Sequence, residues 1–199
     1  ASTAKIFVVM ALYEAVANGL FTLDQIVYYA DSDYEGGSGI LQHMDLSQGY
    51  ALGQLAEYAI KHSDNIAFHM IKRIVGRDYC YSFYEDVIGH KTNRSRTQMS
   101  AEDAGKLLMH AYTSPDGRYN TMLEHMRYTD YEHAIPRYLP ENMVSNKIGF
   151  YSDYFHDAAI IHDNNPYILT IFTKSITDTY NEDPAKLLAE ISRTIYSVR

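Results

Sequence analysis

The order of apolar and polar residues predicts a helix-rich first part of the chain. Residues 3–19 carry apolar side chains at helical spacing, and Gly19 is a suitable stop. The apolar side of this predicted helix consists of Ile6, Val9, Met10, Tyr13, Val16 and Ala17. The same periodicity predicts further helices at 52–62, 66–76, 81–89, 101–114 and 120–129, the fourth opened by a capping box of Ser100 and Asp103.

The pattern changes after residue 142. Residues 142–149, 157–163 and 167–175 are predicted strands joined by short links, and residues 183–198 form an amphipathic closing helix. Before them, 23–29 is predicted as a short strand or extended link, and 31–39 as a glycine-rich loop. We therefore expect one α+β domain over 1–199, mainly helical in 1–142, with three strands and a helix in 143–199.

The first residues allow two interpretations. A lysine before the apolar run IFVVMALY, followed by small residues, is typical of a secretory signal peptide. The chain has no initial Met, however, and Glu14 ends the apolar run. These features favour a helix of the folded protein, which makes Ser2 and Lys5 candidates for chemistry.

Composition excludes several classes of protein. The formal net charge of −8 disfavours general binding to nucleic acid, and no apolar run is long enough for a membrane span. The single cysteine, Cys80, forms no internal disulfide and is interpreted as a packing residue. The nine histidines form no metal-binding motif, so we expect neither a metal nor a cofactor.

Three short polar motifs carry the candidate chemistry. Ser2 and Lys5 are three residues apart, which places them on one side of a helix, where a desolvated lysine can remove the serine proton. Ser63-Asp64-Asn65 lies at a break between two predicted helices, and Lys147-Ile148-Gly149 lies on the first predicted strand of the sheet. Taken singly, the second motif is an ordinary helix cap and the third an ordinary strand end.

In this order the motifs SxxK, SDN and KxG resemble the class A β-lactamases and penicillin-binding proteins. Ser63 lies 61 residues after Ser2, the separation that this family shows. The flanking stretches GGSGILQ, YALGQLAEYAIKHSDN and IPRYLP are also similar to the family, as are DAAIIHDNNPYILTIFTKS and the closing helix. The resemblance covers essentially the whole chain.

The resemblance implies a role for each motif. Ser2 would be the acylated nucleophile, with Lys5 as its proton partner. Ser63 would pass a proton to the leaving nitrogen, and Lys147 would attract the substrate carboxylate and adjust Ser63. The remaining implied roles are substrate binding by Asn65 and by the strand residue Gly149, an oxyanion hole from the N–H groups of Ser2 and Phe150, and a bracing role for Asp64.

Two departures from the family change these expectations. Ile148 replaces the usual Thr or Ser, so the hydroxyl that helps to bind the substrate carboxylate is missing. His156 falls where some relatives place a basic residue for that carboxylate, and it is either a replacement or an ordinary strand-edge histidine. The loop with the deacylating glutamate is also absent, since HKTNRSRTQM runs directly into the helix capped by Ser100.

The resemblance therefore predicts a β-lactamase-like serine hydrolase that acylates on Ser2 and deacylates slowly. The alternatives are a D,D-peptidase or penicillin-binding enzyme of cell-wall metabolism, or a non-catalytic module that senses penicillin or peptidoglycan. The expected partner is a small molecule or a peptidoglycan peptide, outside the cytoplasm. Because the family places a helix and two strands before its nucleophile, we also expect an additional segment or chain to supply the strands missing here.

Overall fold

The computed structural model describes residues 1–174 and 183–199. Within them the chain has seven α-helices, a two-stranded sheet and a three-stranded sheet. The helices are α1 Lys5–Ala17, α2 Leu52–Lys61, α3 Asn65–Val75, α4 Arg77–Ile88, α5 Ala101–Tyr112, α6 Asn120–Arg127 and α7 Pro184–Ser197. The strands are β1 Ile26–Tyr28, β2 Gly49–Ala51, β3 Val144–Tyr151, β4 Tyr154–Ile161 and β5 Tyr167–Lys174. The predicted α+β class is confirmed, and Ser175, the last residue of the third predicted strand, lies outside the described residues.

Helix α1 is the centre of the helical part. Every side chain from Lys5 to Tyr13 is buried, and the helix packs against α2, α3, α4 and α5. The prediction of a single apolar side was therefore wrong. The run IFVVMALY has no polar face, and a helix that is apolar all round lies inside the protein. A 3₁₀ turn, Ser2–Ala4, precedes α1 and is held by this buried helix.

The second sheet is antiparallel in the order β3-β4-β5. One face contributes Ala158 and Ile160 to the core of the helical part, and the other packs Phe155 against Leu188 of α7. The turn between β3 and β4 is tighter than the predicted link, because β4 already begins at Tyr154.

Three local features of the helical part concern the remaining predictions. Strand β2 was not predicted, and α4 begins at Arg77, earlier than the predicted residue 81. The capping box is confirmed, since Ser100 Oγ accepts the Asp103 N–H at 3.0 Å and Asp103 Oδ2 accepts the Ser100 N–H at 3.3 Å.

Among the helices described, none combines the length and the apolar character that a bilayer span requires.

Candidate active site

The first part of the site is the turn at the start of α1. Lys5 Nζ donates hydrogen bonds to Ser2 Oγ at 2.8 Å and to Asn65 Oδ1 at 2.7 Å. Only 3% of Lys5 is exposed, so its ammonium group has exchanged water for these oxygen atoms. The predicted pairing of the serine hydroxyl and the lysine amine is present in the structure.

The electrostatic environment of Lys5 favours its neutral form. Burial lowers the pKa of Lys5 to about 8, and the negative charges of Glu35 and Asp64 limit the shift. A lysine with this pKa is partly deprotonated near neutral pH, as a general base must be. Lys5 therefore has the protonation behaviour that removal of the Ser2 proton requires.

The second part of the site is the turn between α2 and α3. Ser63 has a φ of 53°, a left-handed conformation that is uncommon for a residue with a side chain and is often found at functional sites. Ser38 Oγ holds the turn by donating to the Ser63 carbonyl at 2.7 Å. Asp64 braces it as predicted, because its carboxylate accepts the Ala67 N–H at 2.8 Å and the Leu41 N–H at 2.7 Å.

The glycine-rich loop packs directly on this turn. Asn65 Nδ2 donates to the Gly36 carbonyl at 2.9 Å. A Cβ atom on Gly39 would lie 2.3 Å from Asp64 Oδ2, and Gly39 has a φ of 110°. No residue with a side chain fits at this position, so the loop fixes Asn65 against Lys5.

The third part of the site is β3. Lys147 Nζ donates to Ser63 Oγ at 2.8 Å and to the Ile148 carbonyl at 3.1 Å. Lys147 is 1% exposed, and burial together with the charge of Lys5 lowers its pKa well below the usual range, while Asp157 opposes the shift. Ser63 is thus paired with one buried lysine and Ser2 with another.

Strand β3 approaches the turn that holds Ser2 very closely. A Cβ atom on Gly149 would lie 2.4 Å from Thr3 Oγ1 and 2.8 Å from the Thr3 backbone nitrogen. A glycine is needed here because two backbones meet. The contact brings β3, with Phe150 as the next residue, against the turn that contains Ser2.

These parts surround one cavity of about 670 Å³. The predicted residues that line it are Ser2, Lys5, Ser63, Asn65 and Phe150. Glu35, His69, Lys72 and Tyr131 also line it and were not predicted. Glu35 Oε2 lies 2.6 Å from His69 Nε2, a contact between a loop and a helix that residue spacing does not indicate. We call this cavity the cleft.

His156 lies elsewhere. It lines a neighbouring cavity of about 940 Å³ together with Thr3, stacks on Phe172 with ring centroids 4.2 Å apart, and accepts the Thr173 N–H at 3.2 Å through Nδ1. In the sheet it pairs with Gly149, which the Ser2 turn covers. The structure therefore does not bring His156 into the cleft, and the predicted residues Lys147 and Gly149 also do not line it.

A buried carboxyl group, also unpredicted, lies in the sheet beside the third motif. Asp157 pairs with Ile148 across β3 and β4, and it accepts hydrogen bonds from the Ile135 N–H at 3.0 Å and from Asn146 Nδ2 at 3.1 Å. Burial raises the pKa of Asp157 to about 6. The neutral form of this carboxyl group therefore persists to a higher pH than in an exposed aspartate, and no part of Asp157 is exposed.

The α+β fold that holds this cleft is a β-lactamase-like fold. Residues 1–198 match the sequence model of the Beta-lactamase enzyme family, and the chain belongs to this family. A search among curated proteins found no match.

Solved structures have the same fold. PBP-A is 24% identical, with a TM-score of 0.86 over 100% of this chain and 80% of that chain. The β-lactamase of Sphaerobacter thermophilus is 21% identical, with a TM-score of 0.85 over 98% of this chain and 80% of that chain. An ancestral class A β-lactamase is 19% identical, with a TM-score of 0.85 over 100% and 84% of the two chains.

Proposed function

We propose that this protein is a serine hydrolase that forms an acyl-enzyme on Ser2 with β-lactams or related amides. The observation that carries the proposal is the 2.8 Å hydrogen bond between Lys5 Nζ and Ser2 Oγ, made by a lysine whose pKa is about 8. Acyl transfer needs a nucleophile, a base, an acid for the leaving group and fixed hydrogen-bond donors, and the cleft has a candidate for each.

The proposed reaction begins when neutral Lys5 takes the proton of Ser2 Oγ. The oxygen attacks the carbonyl carbon, and the backbone N–H groups of Ser2 and Phe150 stabilise the negative charge on the carbonyl oxygen. The C–N bond then breaks while Ser63 gives its proton to the leaving nitrogen. Lys147, bonded to Ser63 Oγ, returns a proton to Ser63, and Asn65 holds the amide of the acyl side chain.

Hydrolysis of this acyl-enzyme is expected to be slow. The segment 89–100, between α4 and α5, contains no aspartate or glutamate that could activate water. Among the acidic side chains that flank this segment, Glu85 pairs with Arg94, Glu102 with Lys106, and Asp103 with His90. A mutant of PBP-A has been solved as an acyl-enzyme complex with penicillin G, which supports a stable adduct on this type of scaffold.

Two related functions share the acylation step. A D,D-peptidase or penicillin-binding enzyme of cell-wall metabolism would use the same residues on a peptidoglycan peptide, and a sensing module would keep the acyl group instead of releasing it. The acid-free segment 89–100 favours both over rapid antibiotic turnover. All three functions imply an extracytoplasmic location, because cell-wall peptides lie outside the membrane.

Labelling with a fluorescent penicillin tests the proposal. Wild-type protein should acquire a covalent label and Ser2→Ala should acquire none, with circular dichroism showing that the variant is folded. Slow loss of the label agrees with a penicillin-binding or sensing protein, and fast loss with a β-lactamase. Equal labelling of the wild type and Ser2→Ala would contradict the proposal.

A further inference from the structure

The two walls of the cleft differ in chemical character. The wall formed by α3 and the glycine-rich loop carries the polar side chains of Asn65, His69 and Glu35 beside the ring of Phe68. The wall near Ser63 and β3 is formed by Tyr131, Ile148, Phe150 and Tyr151. Since Ser63 is the proposed proton donor to the leaving nitrogen, the second wall faces the leaving group. We call it the leaving-group wall.

Ile148 gives the leaving-group wall an apolar surface. A residue with a hydroxyl group at this position could instead donate a hydrogen bond to an anion. The Ile148 side chain offers no hydrogen bond, and it packs with Phe155 and Leu188 in a small core cluster. Only 7% of Ile148 is exposed, and Ile148 is one of the residues that line the cleft. A carboxylate placed against it would lose water without gaining a partner.

Cationic side chains do not compensate for the missing hydroxyl in the part of the chain that the structure describes. Lys5 lines the cleft but donates to Ser2 and Asn65. Lys147 is buried and donates to Ser63 and to the Ile148 carbonyl. His156 opens into the neighbouring cavity. Lys72 belongs to the opposite wall, with its Nζ 4.9 Å from the centroid of the Phe68 ring.

A buried carboxyl group lies next to Ile148 in the sheet. Asp157 lies directly across from Ile148 in the sheet, and residues paired in this way project from the same face. Its hydrogen-bond partners, the Ile135 N–H and Asn146 Nδ2, are neutral groups. When ionised, Asp157 interacts with Lys147, and it offers no favourable contact to an anion placed against Ile148.

We propose that the acyl donor of this protein has a neutral, apolar leaving-group half, aromatic or aliphatic, without a carboxylate beside the scissile amide. This inference rests on the proposed acylation of Ser2. The bonds made and broken are those of the proposed reaction. The new element is the substrate class, in which the leaving nitrogen carries an apolar substituent that packs on Tyr131, Ile148 and Phe150.

A matched pair of probes tests the inference. Penicillin G and its methyl ester have the same scissile lactam, and the ester has a neutral methyl carboxylate group where the acid has a charged carboxylate. Their acylation rates are measured by intact-protein mass spectrometry at equal concentration. We expect the ester to acylate Ser2 about 5- to 150-fold faster than the acid, since an unsatisfied buried polar group costs about 1–3 kcal/mol.

Two variants of similar shape give the control. Ile148→Thr restores a hydroxyl and should shift the ratio of the two rates towards the acid, whereas Ile148→Val, which has no hydroxyl, should leave the ratio unchanged. His156→Ala should also leave the ratio unchanged, because this side chain is outside the cleft.

The outcomes separate this inference from the proposed function. Faster acylation by the acid than by the ester would overturn the inference and leave acylation on Ser2 standing. Equal shifts of the ratio in Ile148→Thr and Ile148→Val, or loss of acid reactivity alone in His156→Ala, would also overturn the inference. Absence of an adduct on Ser2 with either probe would overturn both.

Discussion

Two buried lysines each donate a 2.8 Å hydrogen bond to a serine hydroxyl, and the regions around them differ. Lys5 lies at the start of α1, lines the cleft, and has the side chain of Asn65 as its second acceptor. Lys147 lies inside β3, does not line the cleft, and has the carbonyl of Ile148 as its second acceptor.

The difference assigns separate tasks to the two lysines. Lys5 can exchange a proton with Ser2 and with substrate, because it borders the cleft and its pKa is about 8. Lys147 can reach the reaction only through Ser63, and a buried carboxylate, Asp157, lies near it. We therefore expect Lys5 to control the chemical step and Lys147 to support Ser63.

Replacement of Lys5 should have the largest effect. Lys5→Met removes the proposed base, so acylation should slow by about 10²–10⁴-fold, the usual contribution of general acid–base catalysis. Lys61→Met, outside the cleft on α2, is the matched control and should keep the wild-type rate. Rapid labelling of Lys5→Met would show that another group removes the Ser2 proton.

The pH dependence of acylation should follow Lys5. The neutral amine is the active form, so the rate should rise as pH increases towards about 8 and then level off. Below the pKa, each pH unit should lower the rate about tenfold, because protonated Lys5 cannot accept a proton. Single-turnover rates between pH 5.5 and 9.5 measure this, and a profile without an inflection near 8 would contradict the role of Lys5.

Lys147→Met should slow acylation less than Lys5→Met does. The variant removes the hydrogen bond from Lys147 Nζ and leaves the Ser63 hydroxyl without this partner, a loss of about 1–3 kcal/mol, which corresponds to about 5–150-fold in rate. The protein should fold, since Met has a similar length and replaces a buried amine. A loss as large as that of Lys5→Met would mean that the two lysines act as one unit.

The buried carboxyl group beside Lys147 should be visible in the pH dependence of stability. The pKa of Asp157 is raised from 3.8 to about 6 in the folded protein, so its protonated form favours folding at low pH and this contribution is lost as pH rises through 6. The pH-dependent part should amount to about 3 kcal/mol, at 1.36 kcal/mol per pKa unit. Urea unfolding of the wild type and Asp157→Asn at pH 4 and pH 7 measures it, and parallel curves would refute it.

The sequence predicted the contact of Lys5 with Ser2 better than the contact of Lys147 with Ser63. The pairing of Ser2 with Lys5 follows from helical spacing, because three residues bring the two side chains together in any helix. The contact of Lys147 with Ser63 spans 84 residues and became an expectation only through the family resemblance. Spacing alone says nothing about which strand faces which turn.

The unpredicted parts of the site are contacts between distant elements. Glu35 meets His69 because the glycine-rich loop packs on the Asp64 turn, and Asp157 is buried because α7 and Ile135 cover that face of the sheet. The position of His156 is linked to Gly149, its partner in the sheet, where the backbone of β3 meets the Ser2 turn. The spacing of apolar and polar residues does not predict such a contact.

The most direct test of the account is to locate the adduct by peptide mapping after brief incubation with penicillin G methyl ester. We expect one acyl group per chain, attached to Ser2, with a rate that falls sharply in Lys5→Met. An adduct on a different residue, or an equal adduct in Ser2→Ala, would contradict the claim that Lys5 activates Ser2 for acylation.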